Sequence, residues 1–151
     1  MSFENRAHQY DPLPPELADR WAYFPHWEGK RYFVNLVGIE VEELRTDYAR
    51  MSMPFKEENL QAAEIMHGGV IATLIDTVVV PAIGAGLAEG SLWSTIELHV
   101  LYHRPLVTDA VAEGWVVKRG KSVVFTQGEV FDAEGRLVAS GTATYLVKPP
   151  D

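Results

Sequence analysis

The longest apolar run of the chain directly follows two adjacent glycines, Gly68-Gly69, and predicts one buried central helix. Residues 70–83 hold ten Ala, Val, Ile or Leu residues and a single charged side chain, that of Asp76. A run of this length exceeds a typical strand, and apolar residues on all sides are typical of a helix that is covered nearly all round. We expect the helix to run from about residue 68 to residue 84 or 86, and we expect Pro81 to kink or end it.

Four segments after this helix are predicted to be strands, and the first of them alternates between apolar and polar residues with the period of two that is typical of strands. They cover residues 92–102, 110–118, 123–131 and 137–147. In the first of them, the alternation predicts one apolar face and an opposite face that carries Thr95, Glu97, His99 and His103. A single apolar helix followed by a meander of strands predicts an α+β fold in which an antiparallel sheet wraps around the helix.

The chain divides into a predicted N-terminal arm, residues 1–30, and a main domain, residues 31–151, that contains the central helix. In the arm, prolines lead into a short helix that ends near Trp21. We expect Trp21 and the aromatic residues that follow it to cap a core or a subunit contact, or to form a lid over a ligand pocket.

Two further strands are predicted at the start of the main domain. Residues 32–41 are rich in Val, Ile and Phe and predict a strand with a bulge at Gly38. A turn at Glu42-Glu43 is then expected to lead into a second strand over residues 44–54.

Composition and charge exclude several classes of protein. The chain has 151 residues, the length of one domain, and a net charge of −8, which argues against a nucleic-acid surface. No apolar run reaches membrane length, and the N-terminus lacks the pattern of a secretory signal, so we expect a cytoplasmic location. The chain contains no cysteine, which excludes disulfides, thiolate metal ligands and a cysteine nucleophile.

The lone carboxylate and the glycine pair of the central helix are candidates for chemistry. A buried carboxylate is costly unless it is paired, so Asp76 is either a satisfied structural group or lies where the helix meets a cavity. A helix that begins at Gly68-Gly69 leaves backbone N–H groups free to bind an anion or a developing oxyanion. The alternative for the glycine pair is a simple turn that leads into the helix.

Together these residues resemble the hotdog-fold acyl-CoA thioesterases of the phenylacetate-degradation type. The pattern is His67-Gly68-Gly69, then Leu74, then Asp76 nine residues after the histidine, on an apolar helix that four strand-like segments follow. The resemblance covers about residues 33–147. It implies a hotdog fold and the hydrolysis of an acyl-CoA thioester without a metal or cofactor, with coenzyme A entering as part of the substrate.

The resemblance also implies a role for each candidate residue. The N–H of Gly68 would polarise the thioester carbonyl as an oxyanion hole, and His67 would hydrogen-bond near that carbonyl. Asp76 would act as general base or as nucleophile. Thr95 would help to orient the water, and Ser94 offers a second hydroxyl on the opposite strand face.

Substrate binding is expected to involve Gly69 and Gln61 beside these groups. The family pattern often has an asparagine six residues before the histidine and a glycine three residues before it, where this chain has Gln61 and Glu64. Gln61 keeps the amide chemistry, and Asn59 is an alternative if the loop is rearranged. Glu64 adds a negative charge close to the site.

The spacing along the central helix predicts that the active unit is at least a homodimer. Asp76 lies eight residues from Gly68, roughly 12 Å along the axis at 1.5 Å per residue, which is too far for both groups to act on one carbonyl. Two antiparallel helices about a two-fold axis would place each Asp76 near the Gly68 of the other chain. We therefore expect a homodimer or homotetramer.

One basic cluster, Lys118-Arg119 and Lys121, is either a solvated hairpin or the contact for the phosphates of coenzyme A. His99 and His103 are near 13 Å apart on a strand, so they cannot share a metal ion, and no metal site is expected. Two other functions remain open: a hotdog dehydratase or hydratase, and a non-catalytic protein that binds acyl ligands.

Overall fold

The computed structural model describes residues 5–151. Its α-helices are α1 (Pro15–Trp21), α2 (Phe33–Val37) and α3 (Gly68–Gly84), and two short 3₁₀ turns cover Arg6–Gln9 and Glu57–Asn59. Its strands are β1 (Glu40–Arg45), β2 (Tyr48–Met53), β3 (Leu92–Tyr102), β4 (Ala110–Arg119), β5 (Val123–Asp132) and β6 (Leu137–Lys148). In residues 5–151, no helix has both the length and the apolar character needed to cross a membrane.

The six strands form one antiparallel sheet in the order β1-β2-β4-β5-β6-β3, and α3 packs against one face of it. This confirms the predicted α+β architecture and the bounds of the central helix. Pro81 lies inside α3, and the helix continues to Gly84 before it ends.

A row of glycines allows α3 to pack closely on the sheet. Gly114, Gly128 and Gly141 are register partners on three adjacent strands. A Cβ atom added at Gly114 would lie 2.6 Å from Val78 Cγ1, and one added at Gly141 would lie 3.1 Å from Ile75 Cγ2. Side chains at these positions would push the helix away from the sheet, so the glycine row sets the depth at which α3 lies.

Two arginines from other elements bind the carbonyl groups at the C-terminal end of α3. The Arg119 guanidinium donates hydrogen bonds to the carbonyls of Ile83 and Ala82 at 3.1 and 2.6 Å, and it also binds the Asp47 carboxylate. Arg20 of α1 lies 3.5 Å from the carbonyl of Gly84, the last residue of α3, and donates to that of Leu87, just after the helix, at 3.1 Å. Cations are favourable at this end of a helix because the last carbonyls lack partners and carry partial negative charge.

The arm packs on both sides of the sheet. Trp21 is buried in the core, where its ring lies 6.2 Å from that of Trp93, so this part of the aromatic cluster caps the core. On the outer face, away from α3, the segment at Arg6 covers the fully buried Glu113 carboxylate. The hydroxyl of Tyr48 donates to the same carboxylate at 2.6 Å.

The predicted strand over residues 32–41 is wrong except for its last two residues, because the chain forms α2 and β1 begins only at Glu40. The Asn35 side chain accepts a hydrogen bond from the Tyr32 N–H at the start of this helix, and Gly38 ends it with a φ of 90°. These two local caps, together with burial of Val37 in the core, favour a helical turn over the strand that the β-branched residues suggested.

The turn predicted at Glu42-Glu43 is also wrong, because both residues lie in β1 beside a register shift. The chain reverses instead at Thr46-Asp47, and Asp47 has a φ of 63°. β2 consequently begins at Tyr48, four residues later than expected.

Candidate functional site

The Asp76 carboxylate is half-buried and lies where α3 meets two strands. Its Oδ1 accepts hydrogen bonds from the hydroxyl of Thr95 on β3 at 2.9 Å and from that of Tyr145 on β6 at 2.6 Å. The Tyr145 hydroxyl also lies 2.7 Å from the Asp76 backbone carbonyl. Asp76 is thus hydrogen-bonded through one oxygen and points from the helix toward two hydroxyl groups.

Tyr145 remains a hydrogen-bond donor at neutral pH. Burial raises the pKa of its hydroxyl far above the ordinary value, and the neighbouring Asp76 charge and its hydrogen bond raise it further. Both effects disfavour a second negative charge at this place. Tyr145 therefore keeps its proton and stabilises the charged carboxylate.

A β-bulge decides which side chains of β3 reach the helix. Thr95 and Tyr145 are direct register partners, and the register shifts between Thr95 and Glu97. After the shift, Glu97 accepts a hydrogen bond from Thr144 on the outer face of the sheet. The prediction that Thr95 shares a face with Glu97 and His99 is therefore wrong, because the bulge reverses the alternation and leaves Thr95 on the helix side. Ser94, its neighbour, is exposed.

Among residues 5–151, one backbone N–H at the N-terminus of α3 has no hydrogen-bond partner. His67 caps the helix, and its Nδ1 accepts the Gly69 N–H at 2.8 Å. The N–H groups of Val70 and Ile71 donate to the His67 carbonyl. Within residues 5–151, the Gly68 N–H makes no hydrogen bond. Because Nδ1 is an acceptor, the neutral imidazole carries its proton on Nε2, which can donate to a ligand.

An open cleft of about 410 Å³ lies beside this free donor. Gly68 and Gln61 both line it, as do Tyr102 and Arg104 from the end of β3 and the loop that follows. The Tyr102 hydroxyl donates to the Gly68 carbonyl at 2.7 Å and fixes the first turn of α3. Gln61, a candidate substrate-binding residue, thus lies in the same cleft as Gly68, and Arg104 is a cleft residue that the sequence did not indicate.

Other residues of the sequence-based site lie in different surroundings. The Asn59 amide is buried and donates to the carbonyls of Val37 and Pro54, so the suggested replacement of Gln61 by Asn59 is wrong in this structure. Lys121 is exposed in the loop between β4 and β5. Arg119, in contrast, is bound to the end of α3, a structural contact that its place in a basic cluster did not indicate.

One stripe of α3 is not covered by the sheet of its own chain. The stripe consists of residues spaced by three or four positions, all exposed or half-buried: Gly69, Ala72, Thr73, Asp76 and Val80. The edge strand β3 also exposes large apolar side chains along its length: Leu92, Ile96, Leu98, Leu101 and Tyr102.

Comparison with known proteins assigns the family. A family model described as "Thioesterase superfamily" matches residues 63–139, which include α3 and most of the strands after it. The chain belongs to the thioesterase superfamily. A putative esterase of Halobacterium salinarum is 33% identical over 125 residues, which cover 76% of this chain and 83% of that protein.

The chain is also similar to two proteins that are named as thioesterases. The medium/long-chain acyl-CoA thioesterase YigI of Escherichia coli is 29% identical over 133 residues, which cover 76% of this chain and 84% of that protein. A crystal structure of a thioesterase from Haemophilus influenzae superposes with a TM-score of 0.76 at 19% identity, and covers 93% of this chain and 94% of that one. These comparisons confirm the hotdog fold, and they identify the chain as a thioester hydrolase.

Tyr145, like Arg104, is a site residue that sequence reasoning missed. The sequence contained one indication of its place: the alternation along β6 puts Tyr145 on the same buried face as Ala143 and Val147. The residue that it meets depends on the register between β6 and β3, which a single sequence does not reveal.

Proposed function

We propose that the protein hydrolyses acyl-CoA thioesters at a site formed by two chains. In this proposal, Asp76 of one protomer and the Gly68 N–H of its partner act on the same thioester carbonyl. The observation that carries it is that one helix holds both a carboxylate fixed by two hydroxyl groups and, at its start, an N–H that has no partner within residues 5–151. The two groups are roughly 12 Å apart along α3, so one chain alone does not bring them together.

The chemistry needs these two groups and a water molecule. The Gly68 N–H stabilises the negative charge that develops on the carbonyl oxygen. Asp76 either takes a proton from the attacking water or attacks the carbonyl carbon itself, and water then releases the acid. In both routes the C–S bond breaks, the thiolate leaves and is protonated, and the products are the free acid and coenzyme A.

The uncovered surfaces of the chain support a homodimer. A partner helix lying antiparallel on the uncovered stripe of α3 would cover Asp76 and bring its own N-terminus close. Within residues 5–151, β3 pairs with β6 alone, so a second copy of β3 can pair with the backbone of its other edge and pack on its exposed apolar side chains. Assembly of two such dimers into a tetramer remains a prediction of the sequence.

Coenzyme A is polyanionic, and the chain carries a net charge of −8, so substrate binding requires local positive charge. Arg104 lines the cleft beside Gly68 and is exposed. Lys121 is a second exposed cation, and it remains a candidate contact for the coenzyme A phosphates, as the sequence indicated. We propose that Arg104 and Lys121 bind the phosphates of coenzyme A. Arg119, in contrast, mainly stabilises the fold by binding the carbonyls at the end of α3.

Thiol release from a panel of acyl-CoA esters tests the proposed reaction. The panel comprises acetyl-CoA, hexanoyl-CoA, palmitoyl-CoA and phenylacetyl-CoA, and it also tests whether the resemblance to the phenylacetate-degradation type extends to the acyl group. A thiol-reactive dye has no protein background because the chain has no cysteine. We expect turnover of at least one ester and its loss in Asp76→Asn. Binding of these esters without thiol release would instead support a non-catalytic acyl-ligand protein.

A further inference from the structure

The Asp76 carboxylate has two unequal oxygens. Oδ1 accepts two hydroxyl donors, Thr95 at 2.9 Å and Tyr145 at 2.6 Å. A carboxylate oxygen has two lone pairs, so two donors saturate it. Among residues 5–151, no side chain or backbone group donates to Oδ2. One oxygen is therefore held by the protein, and the other is left for a reacting molecule.

We propose that Tyr145 is a positioning residue that, with Thr95, fixes Asp76 through Oδ1 and leaves Oδ2 as the oxygen that acts on water or substrate. This inference rests on the proposed function. It adds a residue that does not touch the substrate and acts through Asp76.

Three elements converge to make this arrangement. Thr95 and Tyr145 are register partners on β3 and β6, and the bulge after Thr95 places both side chains on the helix side. Tyr145 is 2% exposed, and its one hydroxyl hydrogen is shared between two acceptors of Asp76, Oδ1 at 2.6 Å and the backbone carbonyl oxygen at 2.7 Å. Because Thr95 donates to Oδ1 as well, the carboxylate is held from two strands and loses little further freedom when the reaction begins.

Thr95 has a second function in this arrangement. Its hydroxyl hydrogen is donated to Oδ1, so toward the substrate Thr95 can only accept a hydrogen bond. A water molecule that donates one hydrogen to Oδ2 and the other to Thr95 Oγ1 would direct its oxygen lone pair away from both. That orientation suits attack on a carbonyl carbon held at the Gly68 N–H of the partner subunit.

The test uses Tyr145→Phe, which keeps the ring and removes the hydroxyl. Tyr48→Phe is the matched control, because Tyr48 is also buried and donates to a carboxylate at 2.6 Å, that of Glu113 on the outer face. Both variants lose one charge-assisted hydrogen bond. We expect kcat to fall about 10- to 100-fold in Tyr145→Phe with KM nearly unchanged, and to stay near wild type in Tyr48→Phe.

A double-mutant cycle separates positioning from a general structural effect. In the Asp76→Asn background, Tyr145→Phe should cost less than about twofold more, because a residue that acts through Asp76 has nothing left to position. Full additivity of the two substitutions would overturn the inference. So would a kcat in Tyr145→Phe equal to that of wild type or of the Tyr48→Phe control.

Failure of this inference is distinguishable from failure of the proposed function. If Asp76→Asn retains full thioesterase activity, or if wild type releases no thiol from any ester of the panel, the proposed function fails. If Asp76→Asn is inactive and Tyr145→Phe is fully active, the proposed function stands and the positioning role fails.

Discussion

Replacing Gly68 by proline removes the proposed oxyanion donor and little else. Proline lacks an N–H, and it is tolerated at the first position of a helix, where Gly68 lies. The preceding residue, His67, has φ −64° and ψ 132°, the extended conformation that a following proline requires. The Gly68 N–H has no partner within residues 5–151, so the substitution breaks no described hydrogen bond.

The expected loss of kcat follows from the number of backbone N–H donors at the start of α3. Hydrogen bonds to His67 occupy the N–H groups of Gly69, Val70 and Ile71, so the helix has no spare backbone donor to replace that of Gly68. Removing one oxyanion-hole donor typically lowers kcat by about 10²–10³-fold. Stability should stay equal or rise by about 0.4–1 kcal/mol, because proline restricts the unfolded chain.

Gly68→Ala is the matched control for this variant. It keeps the N–H, and its Cβ would lie 3.4 Å from the Tyr102 ring, an ordinary contact. We expect Gly68→Ala to stay within a few-fold of wild-type kcat, and thermal unfolding to show that both variants are folded. Equal activity of Gly68→Pro and wild type would refute the oxyanion role.

Mixing two inactive variants tests whether each site spans two chains. When Gly68→Pro and Asp76→Asn chains are unfolded together and re-formed, about half of the dimers are mixed, and each mixed dimer has one site with both groups intact. The mixture should recover about a quarter of the wild-type rate. If both groups of a site came from one chain, mixing would restore nothing, and the two-chain site would be wrong.

The remaining predictions concern single side chains. Asp76→Asn should lower kcat by about 10²–10⁴-fold with the dimer intact; a wild-type rate would remove Asp76 from the mechanism. Arg119→Ala should lower the free energy of unfolding by about 2 kcal/mol, since it loses the bonds to the end of α3, and should leave KM within about twofold; denaturant unfolding and steady-state kinetics measure both. Arg104→Ala and Lys121→Ala should raise KM for the ester with little change in kcat, and this effect should shrink at high salt; an unchanged KM at low ionic strength would contradict substrate contact.

The sequence by itself determined the parts of this protein that depend on local pattern. The apolar run from residue 70 to residue 83 is long and nearly uniform, so it predicted α3 and its bounds. The four segments after α3 are bounded by turn residues such as Pro105, Gly120 and Gly135, and each strand lies within about one residue of its predicted limits. Gly68 and Asp76 stood out because a glycine pair and a lone charge are unusual in such a run, and these features do not depend on the rest of the fold.

The tertiary structure decided which side chains meet, and the alternation of residues along a strand could not show this. One extra residue after Thr95 turns its side chain to the helix, and register with β6 then brings Tyr145 to the same carboxylate. Arg119 looked like part of a free basic loop, but the end of α3, 36 residues away in the chain, supplies carbonyl acceptors for it. Bulges, strand register and contacts between distant residues arise from packing of the whole chain, and for this reason local pattern predicted α3 and its reactive groups but not the residues that hold them in place.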